Sequence, residues 1–144
     1  MADTDTRLAL RIPRSMDGLA RLGGWVDDVV ADLHLNPTAE YALRLCVEEG
    51  VANLVMHGAA APGRDSSEVA LYAAADADAV RVTIEDACTP FDPLHVSPPR
   101  RPANLADAQE GGLGIHLMRQ YARTIGYESM GGRNKLTLTI ARAR

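Results

Sequence analysis

The sequence has no long apolar run and no excess of basic residues, and these two absences exclude several classes of protein. No stretch of the 144 residues approaches the length needed to cross a bilayer, and the opening MADTDTRLAL lacks the basic-then-apolar order of a secretory signal. The formal net charge of −4 provides no basic footprint for nucleic acid. We therefore expect a cytoplasmic protein that binds proteins or small molecules, with no direct contact to nucleic acid or membrane.

Cysteine is also scarce. Cys46 and Cys88 lie far apart and form neither a C-x-x-C pair nor a metal-ligand spacing with the four histidines. Both are expected to be free thiols, and no structural zinc is expected. The composition, 47% hydrophobic and 24% charged, is that of one soluble domain with a full core, so we predict a single domain over residues 1–144.

Hydrophobic periodicity and turn residues predict eight elements and connections. The first half has a strand over residues 6–13, a helix over 15–34 weakened at Gly23-Gly24, a helix from Pro37 to about Met56, and a loop over 59–67. The second half has a hairpin that turns at Asp76 and Asp78, a long loop over 86–112, a helix from Leu113 to about Thr124, and a last hairpin that turns at Gly131-Gly132. Antiparallel strands with helices on one face describe an α+β two-layer sandwich, with a mostly antiparallel, mixed sheet.

Two groups of polar residues in this order can carry chemistry. Glu49 and Asn53 are four residues apart, so both project from one face of the second helix and can hold a hydrated Mg²⁺ ion and orient a hydroxyl nucleophile. Taken alone, such a pair is more often a solvated helix face. Asp86 at the end of a strand can accept a hydrogen bond from an amine such as that of adenine, or can bond backbone amides in a turn.

A glycine cluster forms the third group. Gly111-Gly112-Leu113-Gly114 directly precedes the helix that begins with Ile115. Glycines allow a phosphate to approach the backbone, and the free N–H groups of a first helical turn favour an anion. Neither of the two best-known nucleotide-binding loops is present, so by itself this cluster is a weak signal.

The three groups occur in a fixed order along the chain, and this combination is a more specific signal than any one group. It resembles the ordered ATP-binding motifs of the histidine-kinase-like (GHKL, Bergerat-fold) ATPases. Within that superfamily the sequences of these motifs are most similar to those of the anti-sigma-factor serine/threonine kinases. The likeness covers nearly the whole chain, and its motifs are the segments 46–58, 86–93, 112–115 and 131–138.

This resemblance implies a kinase that binds Mg-ATP, phosphorylates a STAS-type anti-sigma antagonist on serine or threonine and sequesters a sigma factor, and it implies a homodimer. Asn53 would ligate Mg²⁺, Glu49 would be the general base and Asp86 would bind adenine. Glu48 is set aside because only Glu49 has the four-residue spacing to Asn53. The implied ATP-binding set is Asn53, Asp86, Cys88, Gly112, Leu113, Gly114, Ile115 and Thr137.

One residue departs from the family pattern, in which the aspartate is followed by any residue and then glycine. Cys88 stands where that glycine is expected, and a side chain there would crowd the nucleotide and penalise a positive φ. This departure keeps a second hypothesis open, a non-catalytic module that acts by protein binding alone. A third hypothesis, the ATP-binding domain of a sensor histidine kinase, is disfavoured because no phosphoacceptor helix hairpin is present.

Overall fold

The strands form one sheet in which every described neighbouring pair is antiparallel. A computed structural model describes residues 8–90 and 113–142. The strands are β1 (Leu8–Pro13), β2 (Glu68–Ala75), β3 (Ala79–Asp86), β4 (Thr124–Met130) and β5 (Arg133–Ala141). Their order across the sheet is β1-β2-β3-β5-β4. The predicted α+β two-layer class is confirmed, with a wholly antiparallel sheet in the described residues where a partly mixed one was expected.

Four helices are described along the chain. They are α1 (Met16–Ala20), α2 (Leu22–Leu33), α3 (Pro37–His57) and α4 (Leu113–Tyr121). The single helix predicted over 15–34 is therefore two helices. The break falls at Arg21, whose N–H bonds to Gly18 O at 3.0 Å, and not at Gly23-Gly24, which lie inside α2. Ser15 caps α1 as its residue type predicts, accepting from Gly18 N.

The long helix α3 has the boundaries that its capping residues predict. Asn36 Oδ1 accepts from Ala39 N at 2.8 Å, Pro37 occupies the first turn, and Gly58 follows the last residue. Its middle approaches the sheet closely at Gly50. A Cβ on Gly50 would lie 2.7 Å from Ile84 Cδ1 on β3 and 3.7 Å from Leu136 Cδ2 on β5. The absence of a side chain therefore lets α3 pack directly on the central strands.

The two layers meet in an apolar core that alternation along the strands predicts. In β3 and β5, alternate residues are buried toward the helices, and their neighbours are more exposed on the other face. The largest fully buried side chains come from both layers and are Ile12, Leu22, Val26, Val29, Leu43, Val47, Val51, Leu71, Ile84, Met118, Leu138 and Ile140. No helix in the described ranges is long and apolar enough to cross a membrane.

The C-terminal hairpin is closed by two glycines. Gly131 and Gly132 have φ values of 61° and 83°, as a two-residue turn between antiparallel strands requires. This turn sets the register in which Met130 opposes Arg133 and Ser129 opposes Asn134. The preceding helix α4 ends at Tyr121, earlier than the predicted Thr124. The reason is that Arg123 N already donates to Thr139 O on β5, which begins the strand.

Candidate functional site

Helices α3 and α4 lie side by side and run in opposite directions. Three contacts join them in reverse sequence order: Glu49 with Gly114, Cys46 with Met118, and Tyr41 with Tyr121. The tyrosine rings meet edge to face with centroids 5.5 Å apart, and Cys46 Sγ lies 3.9 Å from Met118 O. The start of α4 is thus held against α3 at Glu49, one turn before Asn53.

The Glu49 side chain fills the space next to Gly114, at the start of α4, that a side chain at residue 114 would need. A Cβ on Gly114 would overlap Glu49 Oε1 and lie 3.2 Å from Glu49 Cδ. Glu49 is half-buried, whereas its neighbour Glu48 is exposed. The missing side chain at Gly114 therefore makes room for the Glu49 carboxylate, a role in addition to the close phosphate approach predicted for this glycine.

Asn53 lies on α3 one turn beyond Glu49, and its position relative to the sheet follows from two neighbouring glycines. Gly50 packs over Ile84, and a Cβ on Gly58 would lie 3.1 Å from Cys88 Sγ. The stretch of α3 from Gly50 to Gly58 therefore follows the exit of β3. Asn53 is half-buried within this stretch of α3, and Asp86 is the last residue of β3. The described residues contain no group of three or more His, Cys, Asp or Glu that could hold a metal ion.

Asp86 is the last residue of β3 and is buried within a small hydrogen-bond network. Its Oδ1 accepts from Cys88 N at 2.9 Å and from Asn134 Nδ2 at 2.8 Å. Asn134 Nδ2 also donates to Cys88 O at 2.8 Å, and Asn134 Oδ1 accepts from Ser129 Oγ at 2.7 Å. Asp86 therefore bonds a backbone amide in the turn, as one of the two interpretations of this residue predicts, and it does so through Oδ1. Both of these hydrogen bonds, from Cys88 N and from Asn134 Nδ2, end on Oδ1.

Cys88 is accommodated without a special backbone conformation. Among the described non-glycine residues only His34 has a positive φ, so Cys88 does not need glycine's freedom. Its side chain is 1% exposed and packs beside Gly58 at the end of α3. Burial, and then the Asp86 carboxylate, raise the pKa of the Cys88 thiol, so the side chain is neutral at physiological pH. The missing side chain at Gly58 therefore leaves room for Cys88 Sγ at the end of α3.

Two residues that support this site were not given a role from the sequence. Arg14 Nε donates to Ser66 O at 2.7 Å, and its Nη1 donates to Leu54 O and Gly58 O, both at 3.2 Å. This guanidinium binds the carbonyl end of α3 and fixes Gly58 next to Cys88. Asn134 is the second residue. Its only sequence signal is the glycine turn, which sets the register that places it opposite Asp86.

The remaining predicted residues lie in different places. Gly112 is outside the described residues, and Leu113 is the first residue of α4. Ile115 is 3% exposed and belongs to the hydrophobic core. Thr137 pairs with Thr83 on β3 and is out of phase with the buried Asn134, Leu136 and Leu138. Its side chain is therefore on the face of the sheet away from the helices, and the structure does not bring it to Asp86. We leave Thr137 out of the candidate site.

The arrangement combines a carboxylate at a helix start, an amide one turn further on and a buried carboxylate at a strand end. The sequence pattern of the histidine kinase-like ATPase domain matches residues 12–140, which includes all of these elements. The chain belongs to the histidine kinase-like ATPase domain family. Membership of this family implies ATP binding, and it confirms the superfamily that the three motifs resemble.

Individual relatives of this ATPase domain agree with that membership. The chain is 30% identical over 115 residues to the serine/threonine-protein kinase BtrW of Bordetella bronchiseptica, covering 80% of each chain. It is similar in fold to a crystal structure of the RsbU and RsbW domains of Rv1364c from Mycobacterium tuberculosis, with a TM-score of 0.64 and 15% identity. That match covers 94% of this chain but spans only 32% of the Mycobacterium tuberculosis chain.

Proposed function

We propose that this protein is an anti-sigma serine/threonine kinase that transfers the γ-phosphate of ATP to a protein partner. The observation that carries the proposal is the position of the Glu49 carboxylate, which fills the space left by Gly114 at the start of α4. A helix start with free N–H groups is a favourable place for phosphates. A carboxylate at that place is in reach of a hydroxyl group that approaches the terminal phosphate.

The nucleotide is held from three sides in this proposal. Oδ2 of Asp86 accepts a hydrogen bond from the amino group of adenine, and the segment from Gly112 to Gly114 contacts the phosphates. Asn53 supplies an oxygen ligand to Mg²⁺, which is usually held by one or two protein groups, several waters and phosphate oxygens. The amide of Asn53 and the neighbouring Glu49 are oxygen donors of the kind that Mg²⁺ prefers, so the residues fit the ion. When bound, Mg²⁺ neutralises charge on the phosphates.

The proposed reaction is an in-line phosphoryl transfer. The hydroxyl oxygen of a serine or threonine on the partner forms a bond to the γ-phosphorus, and the bond from that phosphorus to the β–γ bridging oxygen breaks. ADP leaves with the electron pair, and the proton of the hydroxyl passes to the Glu49 carboxylate. Glu48 is exposed on the adjacent side of α3 and takes no part.

The proposed partners come from the family resemblance and from the relatives. BtrW is named a serine/threonine-protein kinase, and the solved Mycobacterium tuberculosis chain joins an RsbW domain to an RsbU domain. We assign to this chain a STAS-type antagonist as the phosphorylated partner, a sigma factor as the sequestered one, and a homodimer as the active form. The net charge of −4 favours protein partners over nucleic acid.

Phosphotransfer with matched variants tests this proposal. The protein is incubated with γ-labelled ATP, Mg²⁺ and its cognate antagonist, and phosphoserine and phosphothreonine are measured. Glu49→Gln should slow transfer roughly 10²- to 10⁴-fold because it removes the general base, with ATP affinity retained. Glu48→Gln is the control and should transfer at the wild-type rate. A Glu49→Gln protein as fast as wild type would reject Glu49 as the base, and tight complex formation without phosphorylated product would reject the kinase.

The competing function is a non-catalytic module that acts by protein binding alone. The reason to consider it was that Cys88 replaces the glycine expected after Asp86. Because Cys88 has an ordinary φ and packs beside Gly58, we favour nucleotide binding. Calorimetry with Mg-ATP separates the two functions. Binding of Mg-ATP supports the kinase, and a wild-type protein that forms the partner complex but takes up no Mg-ATP would support the module.

A further inference from the structure

Buried polar groups are few in this protein, and two of them bind each other. The buried polar or charged residues in the described ranges are Ser66, Asp86 and Asn134. Asn134 is 2% exposed, and Asp86 is 6% exposed. A buried polar side chain that is not hydrogen-bonded is costly, so such residues have defined partners. Two partners of Asn134, which is on β5, lie directly opposite it on the neighbouring strands: Ser129 on β4 and Asp86 on β3.

The hydrogen bonds of Asn134 fix both ends of its amide. The NH₂ group faces two acceptors, Asp86 Oδ1 and Cys88 O, each at 2.8 Å. The carbonyl end faces the Ser129 hydroxyl at 2.7 Å. The opposite orientation would place the amide oxygen against a carboxylate and a carbonyl, so the assignment follows from the chemistry of the partners. Asn134 therefore approaches Asp86 as a donor in a fixed direction.

This donor changes what the carboxylate can still accept. An ionised carboxylate oxygen has about two lone-pair sites. At Asp86 Oδ1 these sites are used by Asn134 Nδ2 and by Cys88 N, at 2.8 and 2.9 Å. These two bonds leave Oδ2 as the acceptor for a ligand. A carboxylate with one free oxygen suits adenine, whose Watson–Crick edge has a single donor group, the amino group. Guanine has two adjacent donors on that edge, the ring N–H and the amino group, and a carboxylate needs both oxygens to accept from them.

We infer that Asn134 is a positioning and specificity-determining residue. It holds the Asp86 carboxylate so that only Oδ2 is offered to the base, and it thereby favours ATP over GTP. The inference rests on the proposed function, because it requires Asp86 to contact the base of a bound nucleotide. Ser129 acts one step further out by orienting the Asn134 amide. Neither side chain touches the ligand in this scheme.

The test measures the affinities of the 144-residue protein for Mg-ATP and Mg-GTP by calorimetry, and the readout is their ratio. Asn134→Ala frees a lone pair on Oδ1 and releases the carboxylate, so the ATP-to-GTP affinity ratio should fall by about tenfold. Ser129→Ala should lower the ratio in the same direction by a smaller factor. Ser129 is exposed, so this variant keeps the inference testable if Asn134→Ala does not fold.

A structural control separates positioning from loss of stability. Asn36→Ala removes the cap of α3 and should weaken the fold without changing the nucleotide ratio. Equal losses of ATP and GTP affinity in Asn134→Ala and Ser129→Ala, with the ratio unchanged, would overturn the specificity role. A wild-type protein that binds no ATP would instead overturn the proposed function, and this inference with it. A wild-type protein that prefers ATP, with a ratio reduced in both variants, supports the inference.

Discussion

Single atoms decide the geometry at Glu49 and Gly114. The carboxylate of Glu49 occupies the position that any side chain at residue 114 would need. Only the far end of a flexible side chain is in the way, so a methyl group at 114 could be tolerated by rotation of Glu49. That rotation would move the carboxylate away from the start of α4. Residue 114 therefore affects the direction of Glu49 more than the stability of the fold.

Gly114→Ala should accordingly reduce phosphotransfer at least tenfold while changing the free energy of unfolding by less than about 1 kcal/mol. A misplacement of about 1 Å in a catalytic group can lower a rate by about two orders of magnitude. The measurements are the transfer rate with labelled ATP and urea unfolding. Gly24→Ala is the matched control, since Gly24 also lies in a helix and a Cβ there meets nothing within 4 Å. Unchanged transfer by Gly114→Ala would contradict the steric link.

At the scale of elements, the β4–β5 hairpin sets the register of the site. Its turn places Asn134 opposite both Ser129 and Asp86. A shift of one residue would turn Asn134 to the other face of the sheet and bring an exposed neighbour, Arg133 or Lys135, opposite Asp86. The two turn glycines, with positive φ, therefore matter for the carboxylate network as well as for the hairpin.

Gly131→Ala should destabilise the protein by about 1–2 kcal/mol, because φ at residue 131 is 61° and an L side chain is strained there. A Cβ at Gly131 meets nothing within 4 Å, so the cost is conformational rather than steric. Gly126→Ala in β4 has the same open surroundings without a positive φ and serves as the control. Urea unfolding followed by fluorescence measures both. Equal stabilities for the two variants would show that the turn conformation carries no such cost.

For the whole molecule, the buried thiol of Cys46 couples global stability to alkaline pH. Burial, reinforced by the Glu49 carboxylate, raises the pKa of Cys46 from its ordinary 9.0 to about 12. Above pH 9 the unfolded chain releases this proton while the folded protein keeps it. The stability contribution is therefore fully present below pH 9 and is lost as the pH rises toward 12.

The free energy of unfolding of the wild type should consequently fall more steeply between pH 9 and 12 than that of Cys46→Ala. The alanine variant will have a lower stability near pH 8 because it leaves a small cavity, so the comparison is of slopes rather than of absolute values. The single tryptophan, Trp25, is buried and reports unfolding in both proteins. Parallel pH profiles would mean that Cys46 ionises normally in the fold.

The sequence by itself determined the order of elements and the chemistry available to them. Alternation in β3 and β5 and the capping pair Asn36-Pro37 predicted those elements closely, because each depends on contacts within a few residues. The spacing of Glu49 and Asn53 also fixed their common helix face. Helix ends depend on more distant contacts: α4 stops at Tyr121 because the next residues pair with β5, which is far away in the sequence.

Only the tertiary structure decided which of these groups meet. The contact of Glu49 with Gly114, the packing of Cys88 beside Gly58 and the bond from Asn134 to Asp86 each join segments far apart in the chain. Thr137 shows the same dependence, since a phase difference of one residue in β5 puts it on the face opposite Asn134. Local propensity specifies an element, but register and close approach between elements depend on how the whole core packs.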